Sequence, residues 1–469
     1  MLLTQFRILP EESASQCPET VCRLPTDMLK NGHFITYRER PMFEKLFQLR
    51  QHRTTVRTEL TAGVTTFLAS AYIILVHPAM LAQTGMNQGA LTTVTCLAAG
   101  LATLLVALWA NAPLMMAPGM GLNAFFTYSL VLGQGIPWPT ALGVVFLSGA
   151  FFLLLTVFGF RERLLRAIPP SLQQAISVGI GLFIAFIGLQ NLGLVVKNDA
   201  VLVELGHFSP PVLLGLLGLL LAALLLARRV RGALLLAILA VTLLGIVSGQ
   251  AALPAGVIAL PPSPAPIAFK LDLAGACRLV LWPAIFTFMF VDLFDSLGTL
   301  LAVCREAEMV DDRGRIPGLG RMLTADALAT LAGALLGTST TTAYLESASG
   351  VSEGGRTGLT GLTTAALFFL AAFFAPLATA IPAFATAPAL IMVGVFMMRG
   401  IGRIDFYDFE EGLPAFLTLL VMPLTFSIAT GLAFGFLSYV LLKLCLGKIR
   451  QCDPFLLFAA TLSFISFCL

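Results

Sequence analysis

The sequence predicts an all-α polytopic membrane protein, with about fourteen transmembrane segments arranged as two inverted repeats of seven. Composition is the first reason: 58% of the 469 residues are hydrophobic and only 11% are charged, whereas soluble domains carry about 25% charged residues. The second reason is that the apolar runs come in blocks of roughly 18–22 residues, the length that a spanning helix needs. The third is the placement of lysine and arginine along the chain.

The apolar blocks between charged, glycine and proline breaks define the predicted spans, numbered in chain order. Spans 1–7 are predicted at 61–82, 90–110, 113–132, 138–159, 170–192, 209–227 and 232–250. Spans 8–14 are predicted at 277–302, 323–337, 339–354, 357–381, 384–398, 411–427 and 429–446. Residues 1–41 are polar and mixed in charge, so they are predicted to be a disordered cytoplasmic tail, and 451–469 are a C-terminal tail.

Lysine and arginine lie mainly on one side of the predicted membrane. They cluster before span 1, after every even-numbered span from 4 to 12, and after span 14, whereas the other side carries Lys197, Lys270 and Arg278. Because basic loops remain in the cytoplasm, this parity predicts fourteen spans with both chain ends cytoplasmic.

The Pro-rich stretch 251–276 is predicted to be an external linker between a first repeat, 42–250, and a second repeat, 277–450. Since seven is odd, the second repeat enters the membrane in the opposite sense, a common plan of secondary transporters. Both repeats contain the pattern ATL-x-x-AL, starting at Ala102 and Ala329, just before spans 3 and 10.

Spans 3 and 10 are poor candidates for continuous helices. "NAPLMMAPGMGLNAFF" contains two prolines and two glycines, and "GTSTTTAYLESASGVSEGG" contains four threonines between Thr338 and Thr342, which favour extended backbone. Non-helical backbone at membrane depth persists only where protein or a water-filled cavity binds its polar groups. We therefore expect a short strand followed by a half-helix in each span, with the strands meeting near the midplane and the helix N-termini facing a shared cavity.

Three of the 25 acidic residues fall deep in the predicted spans: Asp292, Asp295 and Glu346. An aspartate at a helix centre costs roughly 2.5–3.5 kcal/mol, and a spacing of three places Asp292 and Asp295 on one helical face. A polar contact between helices is one explanation, but the cost favours a substrate or proton site. Glu346 begins the span 10 half-helix, where the dipole favours a carboxylate.

Three other polar residues have weaker predicted roles. Asp326 lies near the predicted start of span 9, which favours a helix cap. His77 precedes Pro78 near the end of span 1, which favours a structural role. Asn123 lies in the span 3 half-helix, where an interface role and a ligand contact both remain open.

The side chains available near the broken spans favour a flat neutral heterocycle as ligand. Carboxylates accept hydrogen bonds from ring N–H and amino groups, an asparagine pairs with a purine edge, and aromatic faces stack on bases. A metal cation would need more oxygen ligands, and an anion would need cationic partners. The aromatic and hydroxyl candidates are Phe125, Phe126, Phe290, Phe294, Tyr344 and the threonines from Thr338 to Thr342.

Four motifs, "APGMGLNAFF", "FVDLFDSLGTL", "TTAYLESASGV" and "GGRTGLT", resemble the purine permeases of the nucleobase–ascorbate (nucleobase:cation symporter-2) superfamily, on their azaguanine-like branch. The resemblance runs from residue 42 to 448. It implies a core domain and a gate domain, and proton-coupled import of adenine, guanine or hypoxanthine across the inner (plasma) membrane. At span 1 the family usually has Asn-Pro where this chain has His77-Pro78.

The resemblance also implies roles for individual residues. Asp292, Glu346 and Asn123 are expected to contact the base, and Asp295 together with Asp292 is expected to couple transport to protons. The remaining expected contacts are Phe290, Tyr344 and Thr342. A homodimer is expected to form through the gate spans 5–7 and 12–14, with lipid around it. Neither a cofactor, a metal nor nucleic acid is expected.

Three alternative functions compete with this one. An intramembrane aspartyl protease needs its two acids on facing helices, whereas Asp292 and Asp295 share one. An anion transporter of the same fold typically carries a soluble C-terminal domain, and only some twenty residues follow span 14. A xanthine or uracil symporter of the same fold remains open from the sequence.

Overall fold

The computed structural model describes residues 41–159, 167–254, 256–311 and 315–468. The predicted tail up to residue 40 lies outside these residues, as do 160–166 and 312–314 in two of the predicted basic loops. In the described part, ten helices are long and apolar enough to cross a bilayer, and the strands form two short pairs. The predicted helical, polytopic class is confirmed.

The spans follow in the predicted order through the described residues. Spans 1–7 are Val56–Thr84, Gln88–Trp109, the broken span Met116–Pro118 with Met120–Gly133, Trp138–Val157, Pro170–Leu192, Pro210–Ala227 and Ala233–Val247. Spans 8–14 are Leu279–Glu306, Leu319–Leu336, the broken span Thr341–Ala343 with Ser347–Ser352, Gly358–Thr379, Ala383–Arg403, Phe409–Thr425 and Ile428–Cys445. Short helices, Pro41–Phe47 and Leu273–Ala276, precede spans 1 and 8.

Local sequence explains where many spans begin. Thr55, Asn87 and Ser427 each precede a helix and accept a hydrogen bond from the backbone N–H three residues further on, the usual arrangement of an N-cap. Spans 4, 5 and 6 and the main helix of span 8 have proline in the first turn, where its missing N–H removes no intrahelical hydrogen bond.

Four short strands lie outside the regular helices. Strands β1 (Met116–Pro118) and β4 (Thr341–Ala343) form an antiparallel pair between spans 3 and 10. Strands β2 (Val195–Asn198) and β3 (Leu202–Leu205) form an exposed hairpin between spans 5 and 6. The predicted strand and half-helix in each broken span are confirmed.

The helices pack in two groups that match the expected core and gate. Spans 1 and 2 pack on span 11, and spans 2 and 4 pack on span 9, which forms the core group with spans 3, 8 and 10. Span 5 packs on spans 12 and 13, and span 6 packs on spans 7 and 12, which forms the gate group with span 14. Small residues bring the gate helices close together: a Cβ on Gly394 would lie 2.6 Å from the carbonyl oxygen of Gly181.

A further helix, Pro454–Cys468, lies within residues 451–469, which were predicted to be a C-terminal tail. It packs along span 14 and against the first half of span 8. The Phe455 ring lies 5.9 Å from Phe286 and 6.1 Å from Phe290, and the Phe467 ring lies 5.4 Å from Phe434. The helix therefore contacts both a core span and a gate span.

We expect Phe455→Ala to lower the thermal denaturation midpoint of the detergent-purified protein. The substitution removes two ring pairs, each contributing about 0.5–1.5 kcal/mol. Phe458→Ala is the matched control, because Phe458 is on the same helix but 59% exposed. Equal midpoints for both variants would contradict the packing role of Phe455.

Candidate functional site in the broken spans

The site is organised around the pair of β1 and β4, in which Ala117 lies opposite Thr342. The Gly119 N–H donates to the Thr340 carbonyl, and the Tyr344 N–H donates to the Met115 carbonyl, each at 3.0 Å. The two repeats are therefore joined by backbone hydrogen bonds at the point where each leaves the helical conformation.

The outer edges of this strand pair are bound by two threonine hydroxyls. In an antiparallel pair, alternate residues direct their N–H and C=O away from the partner strand. Thr103 of span 2 accepts from the Met116 N–H at 3.0 Å and donates to the Met116 carbonyl at 3.1 Å. Thr330 of span 9 does the same for the Thr341 N–H and carbonyl, both at 3.2 Å. A hydroxyl has one donor and two acceptor positions, so one side chain satisfies both backbone groups.

The two threonines occupy equivalent places in the two repeats. Each is the second residue of the ATL-x-x-AL pattern that begins at Ala102 and Ala329. The pattern therefore marks the residue that binds the neighbouring strand, which gives the weak sequence repeat a structural meaning.

Asp292 and Asp295 lie on span 8 beside this strand pair. The Asp292 side chain is buried, and its Oδ2 accepts from the Thr330 hydroxyl at 3.2 Å. Its Oδ1 has no hydrogen-bond donor among the described residues. Asp295 is only partly buried and interacts electrostatically with Asp292 and Glu346. Asp292 thus has one carboxylate oxygen free to receive a proton or a ligand N–H.

A fourth carboxyl group, Asp326, belongs to this cluster and was missed by the sequence analysis. The prediction that Asp326 caps span 9 is wrong, because the helix begins at Leu319 after an N-cap at Gly318 and Asp326 is fully buried in its interior. It lies one turn before Thr330, on the same face, and interacts electrostatically with Asp292 and Asp295. The Ser296 hydroxyl and the Ala343 N–H are close to its carboxyl group, but neither makes a hydrogen bond of normal geometry in the described residues.

Glu346 immediately precedes the helix Ser347–Ser352 and is partly buried. The Tyr72 hydroxyl donates to its Oε1 at 2.8 Å. Tyr72 itself lies at a break in the span 1 helix, between Ser70 and Ile73. Sequence reasoning missed Tyr72, and the only signal for it was an aromatic residue in an apolar run.

Asn123 and Tyr344 converge on the carbonyl of Pro118, at the end of β1. The Tyr344 hydroxyl donates to this oxygen at 2.5 Å and the Asn123 amide donates to it at 3.3 Å. The Asn123 carbonyl oxygen accepts from the Ser339 hydroxyl. The Asn123 amide therefore binds the end of its own strand through its N–H and joins span 3 to span 10 through its carbonyl oxygen. The buried Thr342 side chain packs on Gly119, where an added Cβ would lie 3.0 Å from its Oγ1.

Phe290 lies away from these carboxylates. It is two residues before Asp292, which at 100° per residue places it on the other side of span 8. Its ring contacts Phe294, Phe436 and Phe455 at 4.7–6.1 Å. A different aromatic pair, Phe125 and Phe288, has ring centroids 4.8 Å apart, and Phe288 is one turn before Asp292 on the same face.

His77 is fully buried, and its Nε2 lies 2.7 Å from the Thr338 hydroxyl. This contact ties the end of span 1 to the residue that begins the threonine run of span 10. The predicted structural role is consistent with this contact.

Taken together, the described side chains at the site are carboxylates, hydroxyls, one amide and aromatic rings. Such a set offers many hydrogen-bond acceptors and no fixed cation, so it suits a ligand that brings its own N–H donors. The N-terminus of the half-helix Ser347–Ser352 contributes partial positive charge beside Glu346.

The sequence model of the Permease family matches residues 57–434. The chain belongs to this family. The family resemblance inferred from the four motifs is confirmed, because the matching family is one of permeases.

Several curated relatives cover nearly the whole permease. The putative permease MJ0326 of Methanocaldococcus jannaschii is 46% identical over 87% of this chain and 94% of its own length. The adenine permease AdeP of Escherichia coli is 43% identical over 90% of this chain and 95% of its own. The guanine/hypoxanthine permease PbuO of Bacillus subtilis is 40% identical over 90% of this chain and 99% of its own.

Two solved structures share the fold of the permease at low sequence identity. The transmembrane domain of the cyanobacterial bicarbonate transporter BicA has a TM-score of 0.60, with 17% identity, covering 81% of this chain and 97% of that one. The murine anion transporter Slc26a9 in its inward-facing state has a TM-score of 0.62, with 10% identity, covering 88% and 74%. These likenesses establish the arrangement of two inverted repeats of seven spans.

We expect Asn123→Ala to destabilise the ligand-free protein, because it leaves the buried Ser339 hydroxyl without its acceptor, while the Pro118 carbonyl keeps the Tyr344 hydroxyl as a donor. Each unsatisfied buried group costs about 1–3 kcal/mol. The measurement is the thermal denaturation midpoint in detergent. Asn191→Ala serves as control, since Asn191 is partly exposed and makes one contact, with Tyr128. A thermal denaturation midpoint for Asn123→Ala no lower than that of the control would contradict a structural role for Asn123.

Proposed function

We propose that this permease imports purine nucleobases, namely adenine, guanine or hypoxanthine, in symport with protons. The observation that carries the proposal is the group of acidic side chains beside the β1–β4 pair, with acceptor oxygens and aromatic rings but no fixed cation among the described residues. A purine offers ring N–H and amino donors along its edges and flat faces for stacking. The relatives AdeP, an adenine permease, and PbuO, a guanine/hypoxanthine permease, support the same substrate class.

In this proposal Glu346 and Asp292 accept hydrogen bonds from the base. Glu346 is oriented by the Tyr72 hydroxyl, and Asp292 presents an oxygen without a protein donor. Tyr344 and Asn123 hold the backbone of β1 beside the base, while Thr342 packs between the strands. Phe125, Phe288 and Tyr344 are better placed than Phe290 to supply a stacking surface.

The proton is carried by the aspartates of spans 8 and 9 in the same proposal. Several carboxylates in one low-dielectric site repel one another, so they cannot all be ionised at once without cost. Asp295 is the most exposed of the three aspartates and exchanges protons with the aqueous side, while Asp292 and Asp326 share the buried charge.

We further propose a homodimer in the inner (plasma) membrane, formed through the gate spans 5–7 and 12–14. The basic residues that precede span 1 and follow span 14 support a cytoplasmic location for both of these ends. Exposed leucines along span 6, including Leu213, Leu217, Leu220 and Leu224, are the kind of surface that lipid covers.

Competition measurements test the substrate class. Uptake of labelled hypoxanthine into cells expressing the permease is measured with excess adenine, guanine, xanthine or uracil. Inhibition by adenine or guanine supports the proposal, and inhibition by xanthine or uracil alone would favour the other nucleobase symporters. The fold shared with bicarbonate and other anion transporters makes bicarbonate a fifth competitor, although the acidic side chains disfavour an anion.

We expect Glu346→Gln to weaken hypoxanthine binding to the purified protein by about 10- to 150-fold, because a charged acceptor contributes about 1.5–3 kcal/mol. Tyr72→Phe should weaken binding in the same direction and by less, since it removes only the group that orients Glu346. Glu353→Gln is the control, because Glu353 pairs with Arg231 away from the strand pair. Parental affinity in Glu346→Gln would show that Glu346 does not contact the base.

We expect Asp295→Asn to bind hypoxanthine but to lose the dependence of its accumulation on an imposed pH gradient. The amide cannot carry a proton between the two sides. Vesicles with an acidic exterior provide the measurement. Asp199→Asn is the control, because Asp199 is an exposed residue of the external hairpin. Concentrative, gradient-dependent uptake by Asp295→Asn would rule out Asp295 as the coupling acid.

A further inference from the structure

Thr330 is the one residue of span 9 whose hydroxyl contacts both the β4 backbone and a carboxylate in the described structure. Its oxygen accepts from the Thr341 N–H at 3.2 Å. Two acceptors lie at the same distance of 3.2 Å from that oxygen: the Thr341 carbonyl and the Asp292 Oδ2. A hydroxyl has a single proton to donate, so it can satisfy only one of the two at a time.

The charge on Asp292 decides which acceptor receives this proton. A hydrogen bond to an ionised carboxylate is roughly twice as strong as one to a neutral acceptor. When Asp292 is ionised, the Thr330 hydroxyl therefore turns to it and the Thr341 carbonyl loses its donor. When Asp292 is protonated, the advantage is lost and the hydroxyl returns to the Thr341 carbonyl. This carbonyl points away from strand β1, so no backbone N–H of β1 replaces the lost donor.

We propose that Thr330 is a positioning residue that transmits the protonation state of Asp292 to strand β4. The inference rests on the proposed function, which it deepens by naming the path between the proton and the purine. Strand β4 leads directly to Tyr344 and Glu346, so a change in how firmly β4 is held changes the geometry of the proposed base contacts. Protonation of Asp292 restores the Thr330–Thr341 bond and thereby fixes the purine site.

The ionisable groups around Asp292 also favour its protonated form. Asp295 on span 8, Asp326 on span 9 and Glu346 on span 10 are all acids, and they favour the protonated form of their neighbour. Spans 3, 4 and 5, which also pack against span 8, carry no ionisable Asp, Glu, Lys, Arg or His within their described helices. Span 14 carries Lys443, which bonds to Glu410 instead.

The chain contains a matched control for this role. Thr103 makes the same two backbone hydrogen bonds to Met116 of strand β1, and no hydrogen bond from its hydroxyl to a carboxylate is found in the described structure. Replacing either threonine by valine removes the strand contact while keeping the side-chain shape. Only the replacement at Thr330 also removes the link to Asp292.

The experiment measures binding of labelled hypoxanthine to the purified full-length protein from pH 5 to pH 8. In the parent protein, affinity is expected to fall as pH rises and Asp292 ionises. In Thr330→Val, affinity at pH 5 is expected to fall about 2- to 13-fold, the value of one hydrogen bond, so that the profile flattens. Thr103→Val is expected to lower affinity by a similar factor at every pH and to leave the slope unchanged. Thr330→Ser, which keeps the hydroxyl, is expected to restore the parental slope.

The possible outcomes separate the Thr330 link from the proposed function. A Thr330→Val profile parallel to that of the parent overturns the link while leaving purine transport intact. Parental binding that does not vary with pH overturns both proton coupling and the link. A parent that binds no hypoxanthine, adenine or guanine overturns the proposed function itself. If the valine variants do not elute as single folded species, the alanine pair Thr330→Ala and Thr103→Ala is measured with the same criteria.

Discussion

The structure depends on one requirement: backbone N–H and C=O groups that leave the helical conformation inside a membrane must still be hydrogen-bonded. Spans 3 and 10 leave the helical conformation at the same level, and each supplies the backbone hydrogen-bond partners that the other lacks. The two threonines at the outer edges then bind the groups that point away from the pair. Because these bonds come from spans 2, 3, 9 and 10, four helices of the core are fixed relative to one another by six residues of strand.

That requirement also fixes the candidate site. Strand β1 ends at Pro118, whose carbonyl accepts hydrogen bonds from the Tyr344 hydroxyl and the Asn123 amide. Strand β4 ends just before Glu346, and its outer edge lies against Thr330 and Asp326. The acids therefore gather where the backbone is least regular, and an acid there costs free energy unless a proton or ligand compensates its charge. The same geometry that allows the helices to break thus provides the reason for a ligand to bind.

Much of this arrangement could be predicted from the sequence. Charge parity and hydropathy predicted the order of the spans, and the prolines and glycines of one segment and the threonines of another predicted the two strands. Asp326 was misassigned because the stretch Leu319–Met322 contains a glycine and an arginine and looked like loop, so the helix was predicted to begin too late.

Phe290 was grouped with the site by its closeness in sequence, although helical geometry turns it away. The last helix was missed because the basic residues after span 14 looked like the end of the membrane region. The role of Tyr72 depends on its tertiary contact with Glu346, which no local sequence pattern predicts.

The partners in the strand pair are far apart in the chain, and this has a consequence for synthesis. Pro118 and Tyr344 are separated by 226 residues. At about 5–20 residues per second, a ribosome needs roughly 10–45 s to make that length. During this time the first repeat is already emerging with an extended segment whose hydrogen-bond partners do not yet exist. The nascent chain must therefore keep span 3 in water, in the insertion machinery or in a temporary helical form until span 10 arrives. For this fold, the binding site therefore cannot be completed before span 10 has been inserted, late in synthesis.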